Sequence, residues 1–312
     1  MLRIVRFVIL GALCQALALA ASSQSCAIEN AAAADQRVWL LCGNGQLFES
    51  QDQGHNWQAA TLPSDVRLRA VSFLDARRGF VAGDDGTLLA TEDGAKSWRH
   101  VSLPVKGNLS SILFRGDQGW ISGWGGMILH STDGGRTWAR QTTGVSQALA
   151  KVFFIDKSRG WAVGWLGAMI RTTDGGRTWQ RMEAPGVLWS LSSVYFRDPM
   201  NGWIVGFHGQ ILRSRDGGLT WTMPASPESR AWLTSVRFDS AGRGWITAEN
   251  ELLVSEDGGE TWRVGAKPDA VFLRRLLPVD GTLWAIGNFN VLRQSADGTK
   301  WETVERITST LD

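Results

Sequence analysis

The stretch Ser131-Thr132-Asp133-Gly134-Gly135-Arg136-Thr137-Trp138 decides the fold, because it recurs along the whole chain. Clean copies occupy 172–179, 214–221 and 255–262, weaker ones 50–57 and 91–98, and a shortened one 295–301. Their closing Trp residues, at 57, 98, 138, 179, 221, 262 and 301, are separated by 41, 40, 41, 42, 41 and 39 residues. A repeat of roughly 40–50 residues marks a repeat architecture, and a four-stranded propeller blade has that size. The expected fold is all-β: a seven-bladed β-propeller of four-stranded antiparallel blades.

The third repeat shows the unit. Apolar runs of strand length at 109–114, 119–123, 127–130 and 138–141 are separated by glycines, the pattern of successive hairpins. The second strand opens with Gly-Trp or Gly-Phe at Gly79, Gly119, Gly160, Gly202 and Gly244, and with Val38-Trp39 and Leu283-Trp284 in the outer repeats. A Phe followed by Asp precedes it at Phe73, Phe114, Phe154, Phe196 and Phe238. Aromatics repeated in most blades are expected to form the core.

In the recurring turn, an Asp carboxylate can accept backbone N–H groups a few residues downstream, and the glycines permit φ > 0. The Trp then folds back and buries a large apolar area. Asp52, Asp93, Asp133, Asp174, Asp216, Asp257 and Asp297 are therefore read as structural. One carboxylate per turn is far from the 6–8 oxygens that calcium takes, so no metal and no cofactor are expected.

These residues resemble the Asp-box, or BNR, repeat of sialidases, sortilin-type receptors and the photosystem II assembly/stability factor family. Gly-Trp-x-x-Gly strands followed about a dozen residues later by an Asp box are most similar to the assembly-factor family. The resemblance extends over essentially the whole mature chain. It departs at the ends, where Gln53 and Ala95 replace Gly, Asn56 replaces Thr, and the seventh box is one residue short.

The chain has 312 residues, with 32 basic and 30 acidic side chains, a balance that gives no electrostatic case for nucleic acid. Arg3 and Arg6, an apolar run at 7–20 and Ala18-Leu19-Ala20 read as a secretory leader, too short for a membrane span. Residues 1–20 are thus expected to be a signal peptide and 21–312 the propeller. Export leads to the periplasm, or to a thylakoid-lumen-like compartment in a photosynthetic host. In that oxidising setting Cys26 and Cys42 can form a disulfide within the first blade or remain two buried thiols.

Blade topology places the turns between second and third strands, and the links between blades, on the face opposite the Asp boxes. Trp124, Trp165, Phe207 and His208 fall in such turns, and Trp189 and Trp232 follow links, with Arg230 and Lys106 nearby. This aromatic face is the candidate binding surface. The basic residues Arg67, Arg69, Lys151, Arg237, Arg274 and Arg275 lie near inner strands, where they either line the channel and hold an acidic partner or are solvated and paired with neighbours.

Sialidases use a Tyr nucleophile. The single Tyr here, Tyr195, occupies a blade position held elsewhere by Leu113, Phe153 and Arg237, so it reads as an ordinary blade residue. The four His are scattered over different blades, and no nucleophile elbow is present. What emerges is a non-enzymatic, monomeric, exported binding propeller, similar to assembly factors that serve a membrane or envelope protein complex. The alternatives are a lectin-like propeller for a glycan or peptide, and a divergent sialidase-like glycoside hydrolase.

Overall fold

The computed structural model describes residues 27–304, apart from 184–185, 188, 227–230, 250, 267–271, 289–290 and 295–299. The leader at 1–20, Cys26, Arg230 and Asp297 lie outside the described residues.

Seven antiparallel sheets follow one another along the chain, six of four strands and one of three. Their inner strands are Ile28–Ala34, Leu68–Phe73, Leu109–Arg115, Leu149–Phe154, Leu191–Phe196, Leu233–Phe238 and Leu273–Val279. Each inner strand touches the next, and the seventh returns to the first, so the sheets close a ring around a channel. The expected four strands fail in blade 5. There the outer strand shrinks to a single bridge between Arg213 and Thr222. Pro224, two residues on, has no N–H with which to extend the ladder.

Blades interlock through the recurrent aromatics. Trp120 of blade 3 stacks on Phe154 of blade 4 with ring centroids 3.8 Å apart, and Trp161 stacks on Phe196 at 3.6 Å. Phe154 meets Trp179 of its own Asp box edge-on at 5.9 Å. The same stacking joins Trp39 to Phe73, and Trp203 meets Phe238 at 4.0 Å with the rings tilted by 33°. The Asp-box loop of the following blade completes the contact, since Trp120 Nε1 donates to Gly175 O at 3.1 Å and Trp161 Nε1 to Gly217 O at 3.2 Å.

The chemistry repeated in the described boxes is local. Asp133 Oδ1 accepts the Ser131 hydroxyl at 2.8 Å and the backbone N–H groups of Arg136 and Thr137 at 2.9 and 3.0 Å. Its Oδ2 accepts the Thr137 hydroxyl at 2.6 Å. Ser131 Oγ in turn accepts the buried Gly135 N–H at 2.9 Å. Gly218, the equivalent of Gly135 in blade 5, has φ +85, and a Cβ there would lie 2.6 Å from Trp161 Nε1 of the blade before. Glycine is thus required twice over, by the turn and by the neighbouring blade.

Cys42 lies fully buried in the second strand of blade 1 and is disulfide-bonded. Its expected partner, Cys26, is outside the described residues.

Candidate functional site

The face opposite the Asp boxes is built from short turns that the neighbouring links hold in place. Trp124 N–H donates to Asn108 O, Trp165 N–H to Ala148 O and Phe207 N–H to Ser190 O, at 2.9, 2.9 and 3.0 Å. A second set ties each turn to the next link, with Gly126 N–H on Gln147 O at 2.9 Å and Gly209 N–H on Ala231 O at 2.8 Å. Within these turns Leu166 and His208 adopt left-handed φ of 52 and 54. This conformation costs a non-glycine residue about 1–2 kcal/mol. Leu166 is nevertheless 76% exposed.

The structure gathers the candidate aromatics into an arc. Trp124 and Trp165 lie 5.9 Å apart, 45% and 53% exposed. Trp189, 48% exposed, packs on His208 at 4.0 Å. Phe207 stacks on Trp232 at 4.6 Å, and Trp232 Nε1 donates to Ser192 Oγ at 2.6 Å. Trp232 therefore plugs the funnel as a packed residue, whereas Trp124, Trp165 and Trp189 present their rings to solvent. Trp165, Phe207 and Trp232 also line a cavity of about 450 Å³ at the channel mouth, together with Phe272 and Arg274. Arg230 lies outside the described residues, and Lys106 is an exposed side chain.

Phe272 and Leu166 were not singled out in the sequence. Phe272 meets Trp232 edge-on at 5.2 Å, and the Arg274 guanidinium lies 5.2 Å from its ring centroid. A signal for it existed, since Phe272 immediately precedes Leu273 as Trp232 precedes Leu233.

The six basic residues divide. At the mouth Arg67 and Arg274 both pair with Glu29, and Arg69 pairs with Asp84. Lys151, Arg237 and Arg275 instead line the channel below. Tyr195 behaves as a blade residue: it packs on Phe153 and Phe238, with Arg237 5.0 Å from its ring centroid, and burial pushes its hydroxyl pKa up.

A larger groove, about 750 Å³, lies on the Asp-box face across blades 2 and 3. Several of its charges pair with one another, Arg78 with Asp75 at 2.7 Å and Arg99 with Glu92 at 3.2 Å. Among the described residues no group of three His, Cys, Asp or Glu side chains could hold a metal ion.

Ring, boxes and aromatic mouth together define an Asp-box β-propeller with a ligand-sized opening on its turn face. The sequence profile of the family described as Photosynthesis system II assembly factor YCF48 matches residues 55–146 and 187–268, more than half of the chain, and the protein belongs to that family.

Among curated relatives, the Photosystem II assembly protein Ycf48 of Thermosynechococcus vestitus is 34% identical over 95 residues, 27% of this chain and 26% of the relative. The chloroplastic Photosystem II stability/assembly factor HCF136 of Cyanidioschyzon merolae is 40% identical over 57 residues, 18% of this chain and 13% of the relative. The chain thus matches about a quarter or less of the length of these relatives. Solved structures share the fold over far more of it. A structure described as YCF48 bound to D1 peptide superposes with a TM-score of 0.71 at 20% identity, covering 85% of this chain and 89% of the other. YCF48 from Cyanidioschyzon merolae gives 0.68 at 18% identity, covering 86% and 92%.

Proposed function

We propose that this chain is a non-enzymatic, exported assembly or stability factor that holds a segment of a membrane or envelope protein against its aromatic mouth. The periplasm, or the lumen in a photosynthetic host, is the compartment. Family membership supports the role. The leader-like start supports the location, as does the naming of relatives as assembly lipoproteins or chloroplastic factors. A structural neighbour was solved with a D1 peptide, which favours an extended protein segment as the ligand.

The observation that carries the reading is the half-exposed Trp124–Trp165 pair beside an apolar cavity, on turns pinned by backbone hydrogen bonds. Exposed aromatics on a rigid frame are the residues that most often dominate binding energy. Replacing Trp124 and Trp165 together by Ala is expected to abolish capture of the partner from envelope extracts, a loss of at least ~2 kcal/mol, with cooperative unfolding retained. Replacing the exposed Arg136 and Arg177 on the Asp-box face should leave capture intact. Capture lost with the Arg variants and kept with the Trp variants would put the working surface on the other face. The tilted Trp pair also suits a sugar ring, and a glycan array decides that reading: saturable glycan binding without any protein captured favours it.

A further inference from the structure

Every inner strand carries a register shift near its start, for example between Leu149 and Lys151 and between Leu273 and Arg275. A bulge of this kind breaks the strict alternation of side chains. As a result, consecutive residues face the channel: Ala150 with Lys151, Ser192 with Ser193 and Arg274 with Arg275 all line one small cavity. Just below the mouth, the level of Lys151 and Arg275 is completed by Ser193, Ser235, Ser111 and Asn30.

This level is rich in donors, and among the described residues the one carboxylate in the cavity lining is Glu29. Glu29 stands one residue above and is taken by Arg67 and Arg274. Among the described residues Lys151 has no hydrogen-bond or ion-pair partner. Arg275 donates to Asn30 Oδ1 through one terminal nitrogen, but its buried Nε has no partner. The buried Ser111 hydroxyl also lacks one. Burial, then repulsion from Arg275 and Arg237, drives the Lys151 pKa well below the ordinary lysine value, and burial pulls Arg275 down to about 10. Lys151 and Arg275 are half-buried cations held close together without an anion between them, in a chain whose overall charge is nearly balanced, an arrangement that a bound anion would relieve.

We propose that the upper channel binds one small tetrahedral oxyanion, phosphate or sulfate, held by Lys151 and Arg275 with the surrounding serine hydroxyls. The cavity of about 130 Å³ has room for such an ion together with some water. It holds the equivalent of about four waters at ~30 Å³ each, too little for a nucleotide. Four oxygens let one anion meet a ring of donors approaching from several blades.

The test uses the purified full-length chain in a chloride buffer free of oxyanions, titrated with sulfate and with phosphate at constant ionic strength. Saturable heat and a saturable rise in melting temperature are expected for both, beyond any effect of chloride. Lys151→Ser and Arg275→Ser, each made singly, should weaken oxyanion binding at least ~10-fold. Both variants should fold, because Ser already occupies this level in three other blades. The wild-type titration is decisive even if a variant does not fold. Oxyanions that act no more strongly than chloride, or equally on wild type and folded variants, would overturn the proposal. So would saturable binding of acetate or an acidic peptide without binding of sulfate, which would make this a seat for a partner's carboxylate.

Discussion

Thr172 and Asp174 divide the work of one Asp box unequally. The Thr172 hydroxyl is buried; it donates to Asp174 Oδ1 at 2.7 Å and accepts the buried Gly176 N–H at 2.9 Å. Asp174 receives its other donors from Thr178, which is exposed. Thr172→Val should therefore cost about 1–3 kcal/mol, because a buried N–H loses its acceptor, and Asp174→Ala only about 0.5–1.5 kcal/mol. Denaturant unfolding checks the order, and a larger loss for Asp174→Ala would reverse it. Donation by the Thr178 hydroxyl, then by its N–H, lowers the Asp174 carboxyl from 3.8 to about 2. A depressed acid stabilises above its unfolded pKa, so this contribution is complete above pH ~4 and lost as pH falls toward 2. The stability gap between wild type and Asp174→Ala should close over that window. Leu166 is a different case, a strained residue displayed at the rim. Leu166→Gly should raise stability by roughly 0.5 kcal/mol, relief of about 1–2 kcal/mol less the added chain entropy. It should also weaken partner capture, which a pull-down beside a melting curve reads directly.

Within each blade the second-strand glycine and the inner-strand Phe are a matched pair. Phe154 pairs with Gly160 in register, and a Cβ on Gly160 would lie 2.4 Å from the Phe154 ring; Phe196 and Gly202 repeat the arrangement. The outer blades invert the sizes, with Ala33 opposite Val38 and Pro278 opposite Leu283. A small residue on one strand thus permits a large one on the other at constant volume. Gly160→Val alone should be strongly destabilising through overpacking, and Phe154→Ala should cost about 3–5 kcal/mol. The double variant should be more stable than the sum of the two losses by at least ~1 kcal/mol, measured as a double-mutant cycle. Strict additivity would mean that the two positions do not share one space.

Closure of the ring rests on packing between blades 1 and 7, each a continuous segment at one end of the chain. Ile28, Val38, Phe48, Leu277, Trp284 and Val291 form one core across that seam. Ile28 N–H donates to Asn288 O at 2.8 Å, and Arg274 and Arg275 reach Glu29 and Asn30. Cys42, in the second strand of blade 1, is disulfide-bonded. With Cys26 as its partner, the bridge closes a loop near 15 residues and should contribute about 3 kcal/mol. Reductant should lower the melting temperature, and mass spectrometry after alkylation without reductant should find Cys26 and Cys42 unlabelled. Labelling of both thiols would leave the seam closed by packing alone.

The sequence alone determined the number of blades, the recurring Asp-box turns and the division of the ring into two faces, though not the loss of the outer strand in blade 5. It could do so because the determinants are local: an Asp, a pair of glycines and a Trp shape one turn, and alternation shapes one strand. It also marked Trp124, Trp165, Trp189 and Trp232 as residues outside the repeat. Tertiary structure alone decided which of these are displayed and which are packed, and brought Phe272 against Trp232 across 40 residues of chain. It also decided that Arg274 is paired at the mouth while Arg275 enters the channel. Strict alternation would have sent those neighbours to opposite faces, and only the bulge in the inner strand turns both toward the axis. Contacts between blades depend on register across residues about 40 positions apart, and no window of sequence as short as one repeat contains that register.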